Sequence, residues 1–203
     1  MDRQLVVMAK APRLGRVKTR LAREIGDVAA LAFFRRTCGD LLRRVAPDPR
    51  WQTVLALTPD RAVHETGVWP AGVPRIAQGA GDLGDRMGRL FRDLPRGPVV
   101  IVGGDIPGIT RDHIARAFAA LGRADTVLGP AEDGGYWLVG MKRFPRVTEI
   151  FEDVRWSSEH TLADTKANIE RAGLTLALAD TLNDVDTGAD YRRWKETERR
   201  KRK

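Results

Sequence analysis

Runs of aliphatic and β-branched residues alternate along the chain with segments in which apolar residues recur every three or four positions. The first pattern predicts buried strands, and the second predicts helices with one apolar face. Strands are predicted at residues 5–8, 54–57, 75–77, 98–102, 126–128, 136–139 and 174–178. Helices are predicted at residues 28–45, 83–94, 114–121, 147–151 and 158–172, with a polar helix after residue 187. This alternation predicts a three-layer α/β/α domain around a mostly parallel sheet.

Local signals add detail at three points. Residues 129–140 interrupt the alternation, because two short strands follow each other there without a helix, and this predicts an antiparallel hairpin or an edge insertion. Ser158 is predicted to cap the helix that follows it, and Gly173 is predicted to end that helix. Thr187 and Asp190 have the spacing of a capping box at the start of the last helix.

The composition is typical of a globular domain, since 42% of the 203 residues are hydrophobic and 31% are charged. We expect one domain over residues 1–196 and a basic tail over residues 197–203. No apolar stretch approaches the ~20 residues that cross a bilayer, and the first residues do not resemble a signal peptide. The single cysteine, Cys38, lies on the apolar face of a predicted helix and rules out an internal disulfide. These features predict a cytoplasmic protein.

The net charge of +8 suggests an anionic partner, but this charge is concentrated in two places. Residues 199–203 are all basic, and a terminal run of this kind is typical of a solvated chain end. The other cluster lies in the loop after the first strand. Nucleic acid is therefore not the expected partner. The rival interpretation is a non-catalytic module that binds nucleic acid or a nucleotide, and for nucleic acid it predicts an affinity that falls steeply with salt.

The loop after the first strand combines a glycine with many cations, namely Lys10, Arg13, Gly15, Arg16, Lys18, Arg20 and Arg23. Such a loop leading into a helix suits a polyphosphate, because backbone N–H groups, the helix dipole and basic side chains all attract it. The spacing of a Walker A loop is absent. A glycine-rich turn at residues 78–87 can approach a base or a ribose closely, although alone it indicates only a loop.

Asp105 follows a β-branched run and two glycines, so we expect it at the carboxyl end of a buried strand. Open α/β sheets bind their ligands at that end. Thr110 is better placed to cap the next helix, which leaves Asp105 available for chemistry. Carboxylates at positions 132, 133 and 184 lie in loops that also follow strands. If two or three of them converged with Asp105, they would form an oxygen-ligand site for Mg²⁺ or Mn²⁺.

Four motifs, in this order, resemble the nucleotide-diphospho-sugar transferase (GT-A-like) superfamily, and within it a small bacterial branch of uncharacterised glycosyltransferase-like proteins. Residues 10–21 read Lys-Ala-Pro-x-x-Gly-x-Val-Lys-Thr-Arg-Leu, and residues 103–107 read Gly-x-Asp-x-Pro. Residues 133–136 read Asp-Gly-Gly-Tyr, and residues 184–190 read Asp-x-Asp-Thr-x-x-Asp. The same layout is similar to guanylyltransferases and cytidylyltransferases.

The resemblance implies the Rossmann-like GT-A nucleotide-diphospho-sugar transferase fold and a set of residue roles. Asp105 and Asp186 would bind Mg²⁺ or Mn²⁺. Asp105, Lys18 and Asp133 would take part in the transfer, with Asp133 as the candidate general base. The donor nucleotide and its phosphates would be bound by Lys10, Gly15, Arg16, Lys18, Arg20, Gln78, Gly84 and Arg86. Gly134 and Gly135 would face the acceptor or a donor phosphate.

These roles imply a metal-dependent transferase that acts on a nucleotide sugar and a small-molecule acceptor. The alternative is a nucleotidyltransferase that releases pyrophosphate from a nucleoside triphosphate, whose higher charge also suits the basic loop. Two departures from the family leave the donor and the broken bond open. The first loop lacks the Gly-x-Gly-x-x-Arg-Met of many nucleotidyltransferases, and Asp105 begins Asp-Ile-Pro where other members carry Asp-x-Asp.

Overall fold

The computed structural model describes residues 2–201 and contains one seven-stranded sheet with helices on both faces. The strands are β1 (Gln4–Lys10), β2 (Gln52–Thr58), β3 (Arg75–Ala77), β4 (Val99–Gly103), β5 (Thr126–Pro130), β6 (Tyr136–Met141) and β7 (Leu176–Leu178). The helices are α1 (Thr19–Ile25), α2 (Asp27–Val45), α3 (Leu83–Asp93), α4 (Arg111–Ala120), α5 (Thr161–Arg171) and α6 (Gly188–Lys201), with a 3₁₀ helix at Asp60–His64. None of the described helices is both long and apolar enough to span a membrane.

The strands lie in the order β3-β2-β1-β4-β6-β5-β7. β6 pairs antiparallel with both β4 and β5, and every other pairing in the sheet is parallel. The α/β class, the mostly parallel sheet and the antiparallel hairpin are therefore confirmed. The hairpin is internal rather than at an edge, because β6 is inserted between β4 and β5.

Strand β1 shows why helices cover both faces of the sheet. Its residues are almost all buried, and their side chains alternate between two apolar clusters. Leu5 and Val7 pack with Phe34 of α2 in one cluster. Val6 packs with Met87 and other residues of α3 in the other. A third, smaller cluster joins α1 and α2 to α6. The result is a three-layer α/β/α arrangement.

The short helix predicted at residues 147–151 is wrong. Ile150 and Phe151 are buried, but this segment has neither helical nor strand structure. The Asn168 side-chain nitrogen donates to the carbonyl oxygens of Ile150 (3.2 Å) and Glu152 (2.7 Å). Because a side chain from α5 satisfies these backbone groups, the segment is buried without forming a helix.

The predicted cap of α5 is also wrong, because the N-cap position is His160, two residues after Ser158. Ser158 Oγ donates to the carbonyl of Arg155 (2.7 Å) and accepts from the backbone N–H of His160 (3.2 Å). Ser158 therefore closes the turn before α5 and does not cap the helix. Gly173 does follow the end of α5, with a left-handed φ of 67°, as predicted.

Both other predicted caps are confirmed. Thr110 accepts from the backbone N–H of His113, and the His113 ring accepts from the backbone N–H of Thr110. Thr187 and Asp190 make the same reciprocal pair at the start of α6. Residues 197–201, assigned from the sequence to a tail, continue α6, and the remaining tail residues 202–203 lie outside the described residues.

Candidate active site

Two cavities open at the carboxyl ends of the central strands. The chain runs from β1 to β2 and β3 on one side and places β4 on the other side of β1, so strand order reverses at this point. Open α/β sheets bind ligands at such a reversal. The first cavity has a volume of about 390 Å³ and the second about 380 Å³. Both are lined by Arg20, Leu83, Gly103, Asp105 and Asp186.

The first cavity is lined by basic side chains and two carboxylates. The cations are Lys10, Lys18, Arg20 and Arg86, and the carboxylates are Asp105 and Asp186. Arg20 is exposed and lies 3.4 Å from Asp186, whereas Arg86 donates to the carbonyl of Gly81 (3.1 Å). Excess positive charge in a concave site attracts phosphates. This cavity contains seven of the residues predicted for donor or metal binding: Lys10, Lys18, Arg20, Gln78, Arg86, Asp105 and Asp186.

Lys18 lies at the centre of three carboxylates. Its side chain is only 3% exposed, and its Nζ is 2.8 Å from Asp105 Oδ2, 2.8 Å from Asp186 Oδ1 and 3.3 Å from Asp184 Oδ2. The residue takes a left-handed conformation, with φ 47° and ψ 46°, directly before α1. This conformation is costly for a residue with a side chain. The three ion pairs of Lys18 offset the cost of this backbone conformation. They also join the basic loop to two loops that are distant in sequence.

These contacts shift the pKa values of the groups involved. Burial lowers the pKa of Lys18, but the three carboxylates more than reverse that effect and the pKa is raised. Burial raises the pKa of Asp184 to about 6; Lys18 opposes this effect and Asp186 adds to it. Burial also acts on Asp186, yet its ion pair and hydrogen bond with Lys18 leave its pKa lowered. At neutral pH Lys18 therefore keeps its positive charge and Asp186 its negative charge.

Gly104 explains how Asp105 reaches this position. The backbone N–H of Gly104 donates to the carbonyl of Met8 (2.8 Å), which holds the chain against β1 after β4 ends. A Cβ at Gly104 would lie 3.1 Å from both that oxygen and Cys38 Sγ, which is tighter than ordinary contact. The glycine therefore allows a close approach between backbones. Cys38 is fully buried, and burial raises the pKa of its thiol, so its predicted place on the apolar face of the helix is confirmed.

The loop that carries Asp184 and Asp186 is fixed by the last aspartate of its motif. Asp190 Oδ2 accepts hydrogen bonds from the backbone N–H groups of Thr187 (2.9 Å) and Asp186 (3.3 Å) and from the Thr187 hydroxyl (2.7 Å). Asp190 thus holds the backbone at Asp186, next to Lys18. In the motif Asp-x-Asp-Thr-x-x-Asp, the first two aspartates face Lys18 and the third is a helix cap.

The second cavity lies on the other side of Asp105 and Asp186. Its far wall comes from the β5–β6 turn and from the loop before α5, and it includes Asp133, Trp156 and Glu159. Asp133 Oδ1 accepts from the backbone N–H of Gly135 (2.9 Å), so this carboxylate also shapes its own turn. Asp133 and Gly135 both line the second cavity.

Four predicted residues lie elsewhere or are already engaged. Gly15 and Arg16 are exposed in the basic loop, and a Cβ on Gly15 would meet nothing within 4 Å. Gly84 packs instead against Trp156 and Phe151, which a Cβ would approach to 2.8 and 2.9 Å. Gly134 packs against the backbone of Glu159. These two glycines therefore have packing roles that sequence alone did not indicate.

Gln78 lines the first cavity, but its amide nitrogen is not free to contact a base. It donates to the carbonyl oxygens of Ala9 (3.2 Å) and Ala56 (2.9 Å), and the side chain is buried. Gln78 therefore joins the ends of β1 and β2. Its nitrogen supports the floor of the cavity, so of the Gln78 amide only the oxygen is left for the nucleotide contact that the family resemblance implies.

Sequence analysis missed the closeness of Asp184 to Lys18 and the wall formed by Trp156 and Glu159. Asp184 was recognisable as one of several loop carboxylates, but its contact depends on how the chain returns from β7. The signal for the wall is weaker: a tryptophan within the polar run from Arg155 to His160.

The carboxylates provide the chemistry that a hard divalent cation requires. Mg²⁺ in phosphate sites is usually held by one or two carboxylates, and the substrate phosphates and water complete its coordination. Asp105 and Asp186 provide such a pair at the edge of the basic cavity. No set of three or more acidic, histidine or cysteine side chains within residues 2–201 is arranged to hold a metal. The residues therefore fit a cation that arrives with a phosphate ligand, and do not fit a closed protein site.

Solved structures share this architecture. A protein of Desulfovibrio desulfuricans G20, provisionally described as a nucleotide-diphospho-sugar transferase, is 28% identical with a TM-score of 0.82, and the match covers 92% of this chain and 84% of that one. A CMP:2-keto-3-deoxy-manno-octonic acid synthetase in complex with CTP is 12% identical with a TM-score of 0.60, covering 99% and 100%. Glucosyl-3-phosphoglycerate synthase of Mycobacterium tuberculosis, with Mg²⁺ and UDP, is 10% identical with a TM-score of 0.56, covering 90% and 70%.

The chain therefore has the fold of the nucleotide-diphospho-sugar transferases, and the resemblance drawn from its four motifs is confirmed. At a coarse level the neighbours also support a transferase that uses a nucleotide. No curated protein matches the chain. The family described as "Uncharacterized protein conserved in bacteria (DUF2064)" matches residues 41–158, which is more than half of the sequence. The protein belongs to this family.

Proposed function

We propose that this protein is a divalent-metal-dependent transferase that takes a glycosyl group from a nucleotide sugar and passes it to a small-molecule acceptor. The observation that carries the proposal is the pair of adjoining cavities at the carboxyl ends of β1 and β4. One cavity is basic, the other is not, and Asp105 and Asp186 line both. A two-substrate reaction needs its substrates held side by side, with the reacting atoms at their common boundary.

In this proposal the first cavity binds the donor diphosphate. The phosphate oxygens are neutralised by Lys10, Arg20 and Arg86. Lys18 holds the carboxylates in place through its ion pairs. Asp105 and Asp186 would hold Mg²⁺ or Mn²⁺. When bound, such a cation neutralises the charge that develops on the departing diphosphate.

The transfer itself requires one bond to form and one to break. The acceptor hydroxyl oxygen bonds to the anomeric carbon of the donor, while the bond between that carbon and the diphosphate oxygen breaks. The electron pair of the broken bond leaves with the nucleoside diphosphate. The hydroxyl proton passes to a carboxylate in the second cavity, for which Asp133 is the candidate, and then to solvent. Asp133 keeps one carboxylate oxygen outside its turn for this role.

A second candidate function is nucleotidyl transfer, in which an acceptor attacks the α-phosphate of a nucleoside triphosphate and pyrophosphate leaves. The observation that favours it is the number of cations in the first cavity, because a triphosphate carries more negative charge than a sugar diphosphate. Two proteins of similar fold are also described with CTP: the synthetase above, solved in complex with it, and an inositol-1-phosphate CTP transferase of T. maritima, which is 14% identical.

Product analysis separates the two reactions. The protein is incubated with a panel of nucleotide sugars or nucleoside triphosphates, a mixture of small acceptors, and Mg²⁺ or Mn²⁺. We expect metal-dependent release of a nucleoside diphosphate from one nucleotide sugar. Asp105→Asn should lower that rate about a hundredfold or more, because it removes charge where the phosphates leave.

Asp40→Asn is the matched control. Asp40 is also partly exposed and ion-paired, with Arg36 and Arg43, but it lies on the surface of α2 and lines neither cavity. It should leave the rate unchanged. Release of pyrophosphate without any nucleoside diphosphate would refute glycosyl transfer and establish the second candidate. Nucleotide binding without either product would instead point to a binding module.

A further inference from the structure

The second cavity differs from the first in the sign of its charge. Its acidic side chains are Asp105, Asp133, Glu159, Asp184 and Asp186, and Arg20 is its single basic residue in the described part of the chain. Even when Lys18 is counted with Arg20, acidic side chains outnumber basic ones five to two. In the first cavity, four basic side chains face two acidic ones. The sign of the net charge of the lining side chains therefore differs between the two cavities, which share Asp105 and Asp186.

The acidic wall farthest from Lys18 is built by two loops that are packed together. Gly134 has a left-handed φ of 83°, and a Cβ there would lie 2.2 Å from the carbonyl oxygen of Glu159. The backbone N–H of Leu162 donates to the Gly134 carbonyl (2.9 Å). These contacts hold Asp133 and Glu159 at the same side of the cavity. Glu159 is 81% exposed at its rim, and its nearest ionic contact is His160, at 3.8 Å.

Aromatic side chains supply the remaining surface. Trp156 packs against Phe151, with ring centroids 5.9 Å apart, and against Tyr136, at 6.5 Å. Gly84 allows α3 to approach the Trp156 ring closely. These contacts hold the Trp156 ring in place. Trp156 and Trp137 both line the cavity. A site that combines rigid aromatic faces with a few polar groups is suited to a small organic ligand.

We infer that the acceptor bound in the second cavity is a hydroxylated compound without phosphate or carboxylate groups, either neutral or cationic. This inference rests on the proposed function, in which the first cavity holds the donor. Carboxylates accept hydrogen bonds from hydroxyl and ammonium groups but repel other anions. Trp156 offers an apolar face to the carbon skeleton of a sugar or polyol. An anionic acceptor would meet an excess of acidic groups with Arg20 as its one exposed cation.

The inference is tested with sugars that share one pyranose ring and carry different charges: glucose, glucosamine, glucuronate and glucose 6-phosphate, with the corresponding galactose and mannose sets. Binding is measured by saturation-transfer NMR on the full chain, with and without Mg²⁺ and UDP. At least one neutral or amino sugar should bind about tenfold or more tightly than its anionic matches. Glu159→Lys should reduce the ratio of these two affinities about threefold, because it reverses a charge at the rim of the cavity.

Glu152→Lys is the matched control, since it makes the same charge change on an exposed residue in the preceding segment, outside the cavity. It should leave the ratio unchanged. An anionic sugar that binds as well as its neutral match, or a panel in which no neutral or amino sugar binds, overturns the inference. A sugar that binds as expected but never becomes glycosylated refutes the proposed glycosyl transfer and leaves the charge preference of the cavity standing.

Discussion

At the scale of single residues, Lys18 is the most informative position in the chain. Sequence analysis correctly placed it in a basic loop at the end of β1 and predicted that it contacts phosphate. The structure adds that its ammonium is buried and contacts three carboxylates. No local pattern around Lys18 indicates this, because its partners are 87, 166 and 168 positions away in the sequence. Loop residues that meet only through the tertiary fold leave no periodic signal.

Replacing Lys18 by methionine should destabilise the protein by about 2 kcal/mol, because three carboxylates would lose their common partner. This figure lies between the effects typical of exposed and of buried ion pairs, since the carboxylates are about a third exposed. Urea unfolding at pH 7 measures it. Millimolar Mg²⁺ should restore part of the loss in the variant, because the carboxylates then bind a free cation.

Lys10→Met serves as the control for this experiment, since Lys10 also lines the first cavity but is exposed. The free energy of unfolding of Lys10→Met should stay within about 0.5 kcal/mol of that of the parent. If Lys18→Met were as stable as Lys10→Met, the three ion pairs would have no energetic role.

At the scale of helices and strands, the sequence is most informative where pattern and capping agree. The α4 and α6 caps were predictable because each depends on two residues three positions apart. The failures at residues 147–151 and at Ser158 share a physical cause. In both places a side chain makes a backbone hydrogen bond that the hydrophobic pattern does not indicate: Asn168 of α5 donates to the carbonyls of residues 150 and 152, and Ser158 donates to the carbonyl of Arg155 in its own turn. Secondary-structure propensity does not indicate hydrogen bonds of this kind.

The capping box of α6 should make stability depend on acid pH. Burial raises the pKa of Asp190, but hydrogen bonds from Thr187 and Arg193 outweigh it and lower the pKa to about 2. Because the folded state lowers this pKa, Asp190 contributes stability that is present above about pH 4 and is lost as pH falls towards 2. Between pH 5 and pH 2.5, the free energy of unfolding of Asp190→Asn should therefore fall by about 1–2 kcal/mol less than that of the parent.

The comparison is made by denaturant unfolding at the two pH values. Asp93→Asn, at an exposed position at the end of α3, is the control and should show the same acid dependence as the parent. Identical curves for Asp190→Asn and the parent would show that folding does not lower the pKa of Asp190.

At the scale of the whole molecule, alternation of strands and helices was enough to predict the α/β class and the edge of the sheet that carries the site. It was not enough to predict strand order. β6 lies between β4 and β5 because of tertiary pairing, and this insertion decides that the turn with Asp133 meets the loop with Glu159. The far wall of the second cavity follows from that arrangement, so this cavity could not be predicted from the sequence, whereas the basic first cavity could.

Net charge is also a property of the whole molecule. Deleting residues 199–203 should lower the net charge from +8 to +3 and leave nucleotide binding unchanged, because Arg199 and Arg200 line neither of the two cavities. Tyr191 and Trp194, which pack on Phe33 at 5.6 and 4.9 Å, keep α6 in place. Retention on DNA should weaken and become less sensitive to salt. Thermal-shift and DNA-retention assays measure the two effects.

An equal loss of nucleotide binding and DNA binding in the shortened chain would favour the nucleic-acid module over the transferase. The variant Arg13→Ala, which removes one cation of the basic loop, is the control for the shortened chain. Arg13 is paired with Glu65 at 2.5 Å, lines neither cavity, and should affect neither assay appreciably.

The wall shared by the two cavities links their binding equilibria. A molecule in either cavity reaches Asp105 and Asp186, and so changes the field and the freedom of the groups that the other molecule meets. By thermodynamic reciprocity, if a nucleotide alters the affinity for a sugar by some factor, the sugar must alter the affinity for the nucleotide by the same factor. If the first cavity binds the donor and the second the acceptor, as we propose, each substrate changes the affinity for the other through these two shared carboxylates.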